Sequence, residues 1–341
     1  MTMNDFSLNT QRNHNTPDSL LDALAEAIEI PPARYESADR SYKSIGAWLA
    51  RPSSSFAQFK VEVYTQGSFR LGTVIRPVSN EEAYDLDVIC EIKIPKTAIT
   101  QAQLQDQLGG ELVKYAAAHD LSPPKRTEHC WTLSYADDAQ FRMDLVPSIP
   151  DNERLRRMMS ARGFDPSLAN NAIAITDSEH PYFRTITDEW PISNPNDYAE
   201  WFRKRMEPIF EMRKRAMVFK AEVNIARIPD YKVKTPLQSA IQILKRHRDM
   251  RFSESTDVKP SSIAITTLAA HAYEQEMDLA GALTGILSRM GRFVEVRGGE
   301  YWIANPADPR ENFADSWQTN PRLKEAFDDW LETAQIDFKA A

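Results

Sequence analysis

Two strand-like apolar runs that carry carboxylates constrain this chain most. Asp85-Leu86-Asp87 leads into Val88-Ile89-Cys90-Glu91-Ile92, and Asp144 sits inside Phe141-Arg142-Met143-Asp144-Leu145-Val146. A period of two aims Asp85 and Asp87 at one face of a strand and Leu86 at the core. Asp is depleted in strands and costly to bury, so three of them in such runs call for a compensating cation. A neighbouring strand of the same sheet is the natural place for Asp144. Upstream, Gln66-Gly67-Ser68 follows the strand-like Val61-Glu62-Val63-Tyr64 and opens a short helix. Backbone N–H groups and a hydroxyl at a helix mouth suit a polyphosphate, and carboxylate oxygens suit Mg²⁺. A Gly-Ser alone is a turn in most proteins, and an Asp-Leu-Asp alone is a solvated strand end. Together they read as a phosphate and metal site.

The 341 residues are 42% hydrophobic, which suits a sizeable core and two lobes. No run of about 18 apolar residues occurs, and Met1-Thr2-Met3-Asn4-Asp5 lacks signal-peptide features, so a cytoplasmic protein with no membrane partner is expected. Cys90 and Cys130 lie in apolar stretches and read as buried free thiols. No Cys/His cluster has zinc-ligand spacing. A net charge of −8 and a pI near 5.4 weigh against stable binding of duplex nucleic acid, which depends on neutralising many phosphates. A nucleotide needs only a local basic pocket. Arg203-Lys204-Arg205, Arg213-Lys214-Arg215 and Lys245-Arg246-His247-Arg248 are candidates, the first two reading better as solvated helix faces.

Residues 1–16 are polar and expected to be disordered. Residues 17–195 are expected to form a mixed α/β lobe preceded by two helices, with a long connecting region from Asp151 to Pro195. Residues 196–333 show long helical patterns and read as a helical lobe, with Pro208 kinking or splitting its first helix. Residues 334–341 are expected to be a flexible tail.

The string Gln66-Gly67-Ser68-Phe69-Arg70-Leu71-Gly72-Thr73-Val74-Ile75-Arg76-Pro77, with Asp85-x-Asp87 and Asp144, resembles the bacterial cGAS/DncV-like nucleotidyltransferases of the polymerase β-like superfamily. Further matches lie at Lys234-Thr235-Pro236-Leu237-Gln238, Ile243-Leu244-Lys245-Arg246-His247-Arg248-Asp249, Lys259-Pro260-Ser261-Ser262 and Glu311-Asn312-Phe313-Ala314-Asp315. The stretch from Ser68 to Asp85 is longer than in much of the superfamily. The resemblance implies an α+β fold, with a polymerase β-like nucleotidyltransferase lobe on a mixed sheet beside a C-terminal helical bundle. It implies a cytosolic enzyme of CBASS anti-phage defence that joins ATP, with or without another NTP, into a cyclic di- or trinucleotide second messenger.

In that reading Asp85, Asp87 and Asp144 hold two Mg²⁺ ions, for which Mn²⁺ can substitute, and Asp144 also serves as general base. Gln66, Gly67 and Ser68 shape and grip the terminal phosphates. The resemblance places Lys245 on the triphosphate and Ser262 at the nucleotide, where a helix cap is an equally good account of Ser262. It further implies a downstream effector that binds the product, and a ubiquitin-ligation-like partner acting on the C-terminus. Two alternatives stay open: an enzyme of the same fold acting on an RNA, protein or small-molecule acceptor, and an inactive nucleotide-binding module.

Overall fold

The computed structural model describes residues 17–78, 83–135, 141–221 and 230–339. The expected disordered stretch 1–16 and the terminal Ala340-Ala341 lie outside the described residues. Helices α1 (Pro17–Ile28) and α2 (Pro32–Leu49) precede strand β1 (Val61–Thr65), the short helix α3 (Gly67–Leu71) and strand β2 (Tyr84–Ile92). Helix α4 (Gln101–Ala118), strands β3 (Lys125–Arg126), β4 (Trp131–Tyr135) and β5 (Phe141–Pro150), helix α5 (Asn152–Ala161) and strands β6 (Ile173–Ile175) and β7 (Ile192–Ser193) complete the α/β lobe.

Its sheet is mixed, in the order β1-β2-β5-β4-β3. Strand β2 runs antiparallel to β1 and parallel to β5. Strand β4 spans only the first half of β5, so β6 takes the vacated edge and pairs with Ser148, Ile149 and Pro150. Leu86, Val88, Cys90 and Ile92 of β2 join Met143, Leu145 and Ile149 of β5 and Leu104, Leu108 and Leu112 of α4 in one buried core. Thr100 and Gln103 form a capping box that starts α4.

The helical lobe comprises α6 (Pro195–Ala221), α7 (Pro236–Arg251), α8 (Ser262–Ala272) and α9 (Leu279–Arg289). Two small hairpins follow, β8 (Glu295–Arg297) with β9 (Glu300–Trp302) and β10 (Ala304–Asn305) with β11 (Asp308–Asn312), then α10 (Ser316–Thr319) and α11 (Arg322–Asp337). Helices α7, α8, α9 and α11 share a second apolar core.

Four expectations are corrected. The Asp151–Pro195 region carries α5, β6 and β7, because Leu155, Met159, Ala169 and Ala172 form a small core of their own. Helix α1 packs with the second lobe, its Leu21 and Ile28 lying among residues of α7 and α9, so the catalytic-lobe boundary at residue 17 does not describe the packing. Helix α6 is not split at Pro208, which removes the splitting half of that expectation. Arg205 donates to Ala270 O at 2.7 Å and Arg213 to Lys234 O at 2.7 Å, so both halves are anchored despite the missing helical N–H. Those two arginines are therefore not merely solvated. Finally, α11 extends to Asp337, Ala334 is fully buried and the Phe338 ring lies against His247, so the stretch expected as a tail from residue 334 starts within a packed helix, while Ile336, Asp337 and Lys339 are exposed.

Helix α4 offers a paired test of this packing. A Cβ on Gly109 would collide with the Trp131 indole, whereas a Cβ on Gly110 would meet nothing within 4 Å. Gly109→Ala should lose about 1–3 kcal/mol of stability through overpacking. Gly110→Ala should gain about 0.5–1 kcal/mol, the ordinary preference for Ala within a helix. Urea denaturation of the two variants beside the parent chain measures both.

Candidate active site

The β2/β5 register builds the acidic face. Asp85 lies opposite Arg142 and Asp87 directly opposite Asp144, while the intervening Leu86 faces Met143 in the core. Burial and then the Asp144 charge raise the pKa of Asp85 above its ordinary value, and Arg142 opposes the shift. Asp87 is pushed up to about 6 by burial, then by Asp144 and Asp85, with Lys245 pulling the other way. The donor set is hard oxygen carrying crowded negative charge that Arg142 and Lys245 only partly offset, which fits a divalent cation such as Mg²⁺. On the other side of β5, the Thr132 hydroxyl of β4 donates to Asp144 Oδ1 at 2.5 Å and fixes that carboxylate.

Helix α3 brings the Gly-Ser turn to the same place. Gln66 caps it in an extended conformation, its N–H donating to Asp87 O at 2.8 Å. Gly67 has φ +60°, and any Cβ there would strike the Asp87 carboxylate. Only glycine combines that backbone with so close an approach. Gly67 and Ser68, the three aspartates, Lys245 and Ser262 all line one cavity of about 890 Å³ between the lobes, a size that suits nucleotides. Gln66 does not line it, and its structural part is the cap.

Lys245 is buried on α7 with its Nζ donating to Thr73 O at 3.3 Å and Thr73 Oγ1 at 3.2 Å. Burial and then Arg248 push its ammonium down to about 7, against the pull of Asp249 and Asp87. Ser262 is the first residue of α8 and its hydroxyl accepts from Arg248 Nη1 at 2.8 Å, while the cap is made by Ser261, which accepts from Ala264 N at 3.3 Å. The cap reading thus belongs to the neighbouring serine.

Sequence reasoning missed Thr132 and the arginine cluster's internal wiring. Arg248 donates to Asp249 Oδ1 at 2.7 Å and to Pro260 O at 3.0 Å, and Lys259 pairs with Asp249 at 3.4 Å. Their nearness arises from the packing of α7 against α8, for which the sequence carries no local signal. Of the two thiols, Cys90 is buried, but Cys130 lies just before β4 and is only half-buried. A separate group, Glu128, His129 and Asp177, holds ligand atoms within 4.8 Å of one another, is largely exposed and does not line the cavity.

Residues 61–147 match the family model described as "Cyclic GMP-AMP synthase DncV-like, nucleotidyltransferase domain". The chain carries a DncV-like nucleotidyltransferase domain. The matched segment includes Gly67, Ser68 and all three aspartates. This nucleotidyltransferase is 29% identical over 315 residues to a c-di-GMP synthase of Roseivirga ehrenbergii, covering 91% of this chain and 75% of that one. It is 26% identical over 340 residues to the cyclic dinucleotide synthase CdnG of Bradyrhizobium diazoefficiens, covering 95% and 76%. The structure of CdnG in complex with GTP superposes with a TM-score of 0.72 at 23% identity, over 95% of this chain and 92% of that one. The GTP-bound form of Vibrio cholerae DncV gives a TM-score of 0.54 at 15% identity, over 94% and 77%. These likenesses establish the α+β nucleotidyltransferase fold. No helix among the described residues is long and apolar enough to cross a membrane.

The crowded carboxylates make stability depend on pH in a definite direction. A carboxyl whose folded-state value lies above its unfolded one costs stability as pH rises through the interval between them, here about 4 to 6 for Asp87, and the full cost persists above it. In metal-free buffer, Asp87→Asn should raise the stability near neutral pH by on the order of 1–3 kcal/mol, and the melting temperature with it, the gain shrinking towards about pH 4. Adding Mg²⁺ should raise the melting temperature of the parent chain and do so less in the variant. Calorimetry across pH, with EDTA or Mg²⁺, measures both effects. Parallel pH curves for parent and variant would remove the crowded-charge account.

Proposed function

We propose that this chain is a cyclic dinucleotide synthase of anti-phage signalling, taking two nucleoside triphosphates, GTP foremost, and releasing two pyrophosphates. The observation that carries the reading is the meeting of Asp87 and Asp144 across β2 and β5 in one cavity with Gly67 and Ser68. The names of the relatives, a c-di-GMP synthase and CdnG, support the dinucleotide product and the guanine base.

Each round forms a bond between a ribose hydroxyl oxygen and the α-phosphorus of a triphosphate and breaks the bond from that phosphorus to the pyrophosphate oxygen. Asp85, Asp87 and Asp144 would hold two divalent cations, which when bound neutralise the charge that builds on the attacking and leaving oxygens. Asp144 receives the hydroxyl proton, its Oδ1 pinned by Thr132. Ser68 and the backbone of Gly67 meet the terminal phosphates, and Arg246, Arg248 and Lys259 at the cavity wall offset the anion's charge. Lys245 serves the triphosphate through Thr73, to which its ammonium is hydrogen-bonded. Two rounds on the pair of nucleotides close the ring, and a separate effector binds the product.

Incubation of the protein with labelled GTP or ATP and Mg²⁺, then phosphatase and mass spectrometry, tests this. The expected product is phosphatase-resistant with the mass of a cyclic dinucleotide. A labelled RNA, protein or small molecule would instead favour the single-transfer enzyme, and unchanged triphosphate the inactive module. Asp144→Asn should lower turnover by at least about a hundredfold, the scale of an essential acid–base group. Thr132→Val should lower it less, and Thr132→Ser should restore it. Near-normal turnover of Asp144→Asn would remove the assignment of that carboxylate.

A further inference from the structure

The segment that follows the Gly-Ser turn is held from the opposite lobe. Gln238 Nε2 donates to Leu71 O at 2.9 Å, Lys234 Nζ to Gly72 O at 2.7 Å, Lys245 Nζ to Thr73 O at 3.3 Å and Gln242 Nε2 to Val74 O at 2.6 Å. Four consecutive carbonyls thus each receive a side-chain donor from residues 234–245. Gln238, Gln242 and Lys245 stand at i, i+4 and i+7, one face of α7, and all three are buried. Arg246 extends the row by donating to Arg76 O.

The donors are themselves oriented. Gln238 closes the α7 capping box, its Oε1 accepting from Thr235 N at 3.0 Å, which leaves its Nε2 facing Leu71. Gln242 Nε2 also donates to Glu29 Oε2 at 3.0 Å, and Lys234 pairs with that same carboxylate at 2.8 Å. Gly72 has φ +66°, and a Cβ there would strike the Gln238 amide, so glycine permits the approach. The held segment in turn grips the turn, because Thr73 N donates to Ser68 O at 2.9 Å and Gly72 N caps α3 on Ser68 and Phe69.

We propose that Gln238 and Gln242 are positioning residues for triphosphate binding, setting Ser68 through the Leu71–Val74 backbone. The proposal rests on the reading that Ser68 meets the terminal phosphates. A helix of five residues such as α3 has too few internal hydrogen bonds to hold its own orientation. The row from α7 supplies the missing constraint and makes triphosphate affinity a property of both lobes.

The test is a double-mutant cycle on the full chain with a non-hydrolysable GTP analogue and Mg²⁺, read by titration calorimetry. Gln242→Met keeps length and removes the donor. It should weaken analogue binding by roughly tenfold, as should Ser68→Ala. The double variant should bind no more weakly than Ser68→Ala alone, because the glutamine acts through the serine. Lys234→Met withdraws the donor from Gly72 and should behave like Gln242→Met, which covers the case in which that variant does not fold. Analogue binding at the parent level in the folded variants, or a product of the two losses in the double variant, overturns the proposal. Failure of the parent chain to bind the analogue overturns the functional reading and this inference together, and so distinguishes the two failures.

Discussion

The parallel register of β2 against β5 sets Leu86 beside Met143 on one face of the sheet and, one residue on, Asp87 beside Asp144 on the other. Because the side-chain period is two, a slip of one residue would send the aspartates into the apolar core and the leucine and methionine out of it. The apolar face is thus strong enough to impose the register, and the acidic face has to accept the repulsion that results. The raised pKa values of Asp85 and Asp87 follow first from burial and then from that repulsion. The sheet holds crowded negative charge in a fixed place, and on the proposed reading a cation would offset it.

Positive charge reaches this place from the second lobe. Lys245, Arg246 and Arg248 all stand on α7, and Lys259 lies in the turn before α8, so the helical lobe forms the basic wall of the cavity and the sheet the acidic one. The ammonium of Lys245 sits between two demands. Burial and Arg248 disfavour its charge, while Asp87 and Asp249 favour it. Its hydrogen bonds to Thr73 tie that balance to the same backbone that supports Ser68. Helix α1 reinforces the link by packing with the second lobe while Arg76 N donates to Ile28 O at 2.8 Å.

The strand alternation around Asp85 and Asp87 was legible in the sequence, as was the placing of Asp144 on a neighbouring strand, because period and apolar flanks are local properties. The residue-by-residue opposition of Asp87 and Asp144 was not, since α4, β3 and β4 intervene and pairing between distant strands has no local signature. Thr132 is hidden for the same reason. The helical spacing of Leu20, Leu21, Leu24, Ala25 and Ile28 in α1 could be read, but such a pattern does not name the surface that covers it, and Leu20 and Leu24 stay exposed while Leu21, Ala25 and Ile28 pack with the second lobe. Lys245 could be singled out through the family resemblance, whereas its Thr73 partner follows only from how the lobes meet. Gln238 and Gln242 were invisible as functional residues because a glutamine in a helix has no preferred meaning until the fold brings an acceptor to it.

The division of charge between the two walls also explains how an acidic protein can hold a polyanion. At physiological ionic strength, charges further apart than about 8 Å are largely screened in solvent, so the net −8 of the chain matters little inside a partly enclosed cavity. On the proposed reading, what a triphosphate meets there is a short-range field from Arg246, Arg248 and Lys259, partly offset by Asp249, with the three sheet aspartates on the other wall. A long nucleic acid would need many phosphates neutralised at once, which a net charge of −8 does not favour. On the proposed reading, the same charge balance suits a nucleotide held in a local basic pocket better than a duplex spread over the surface.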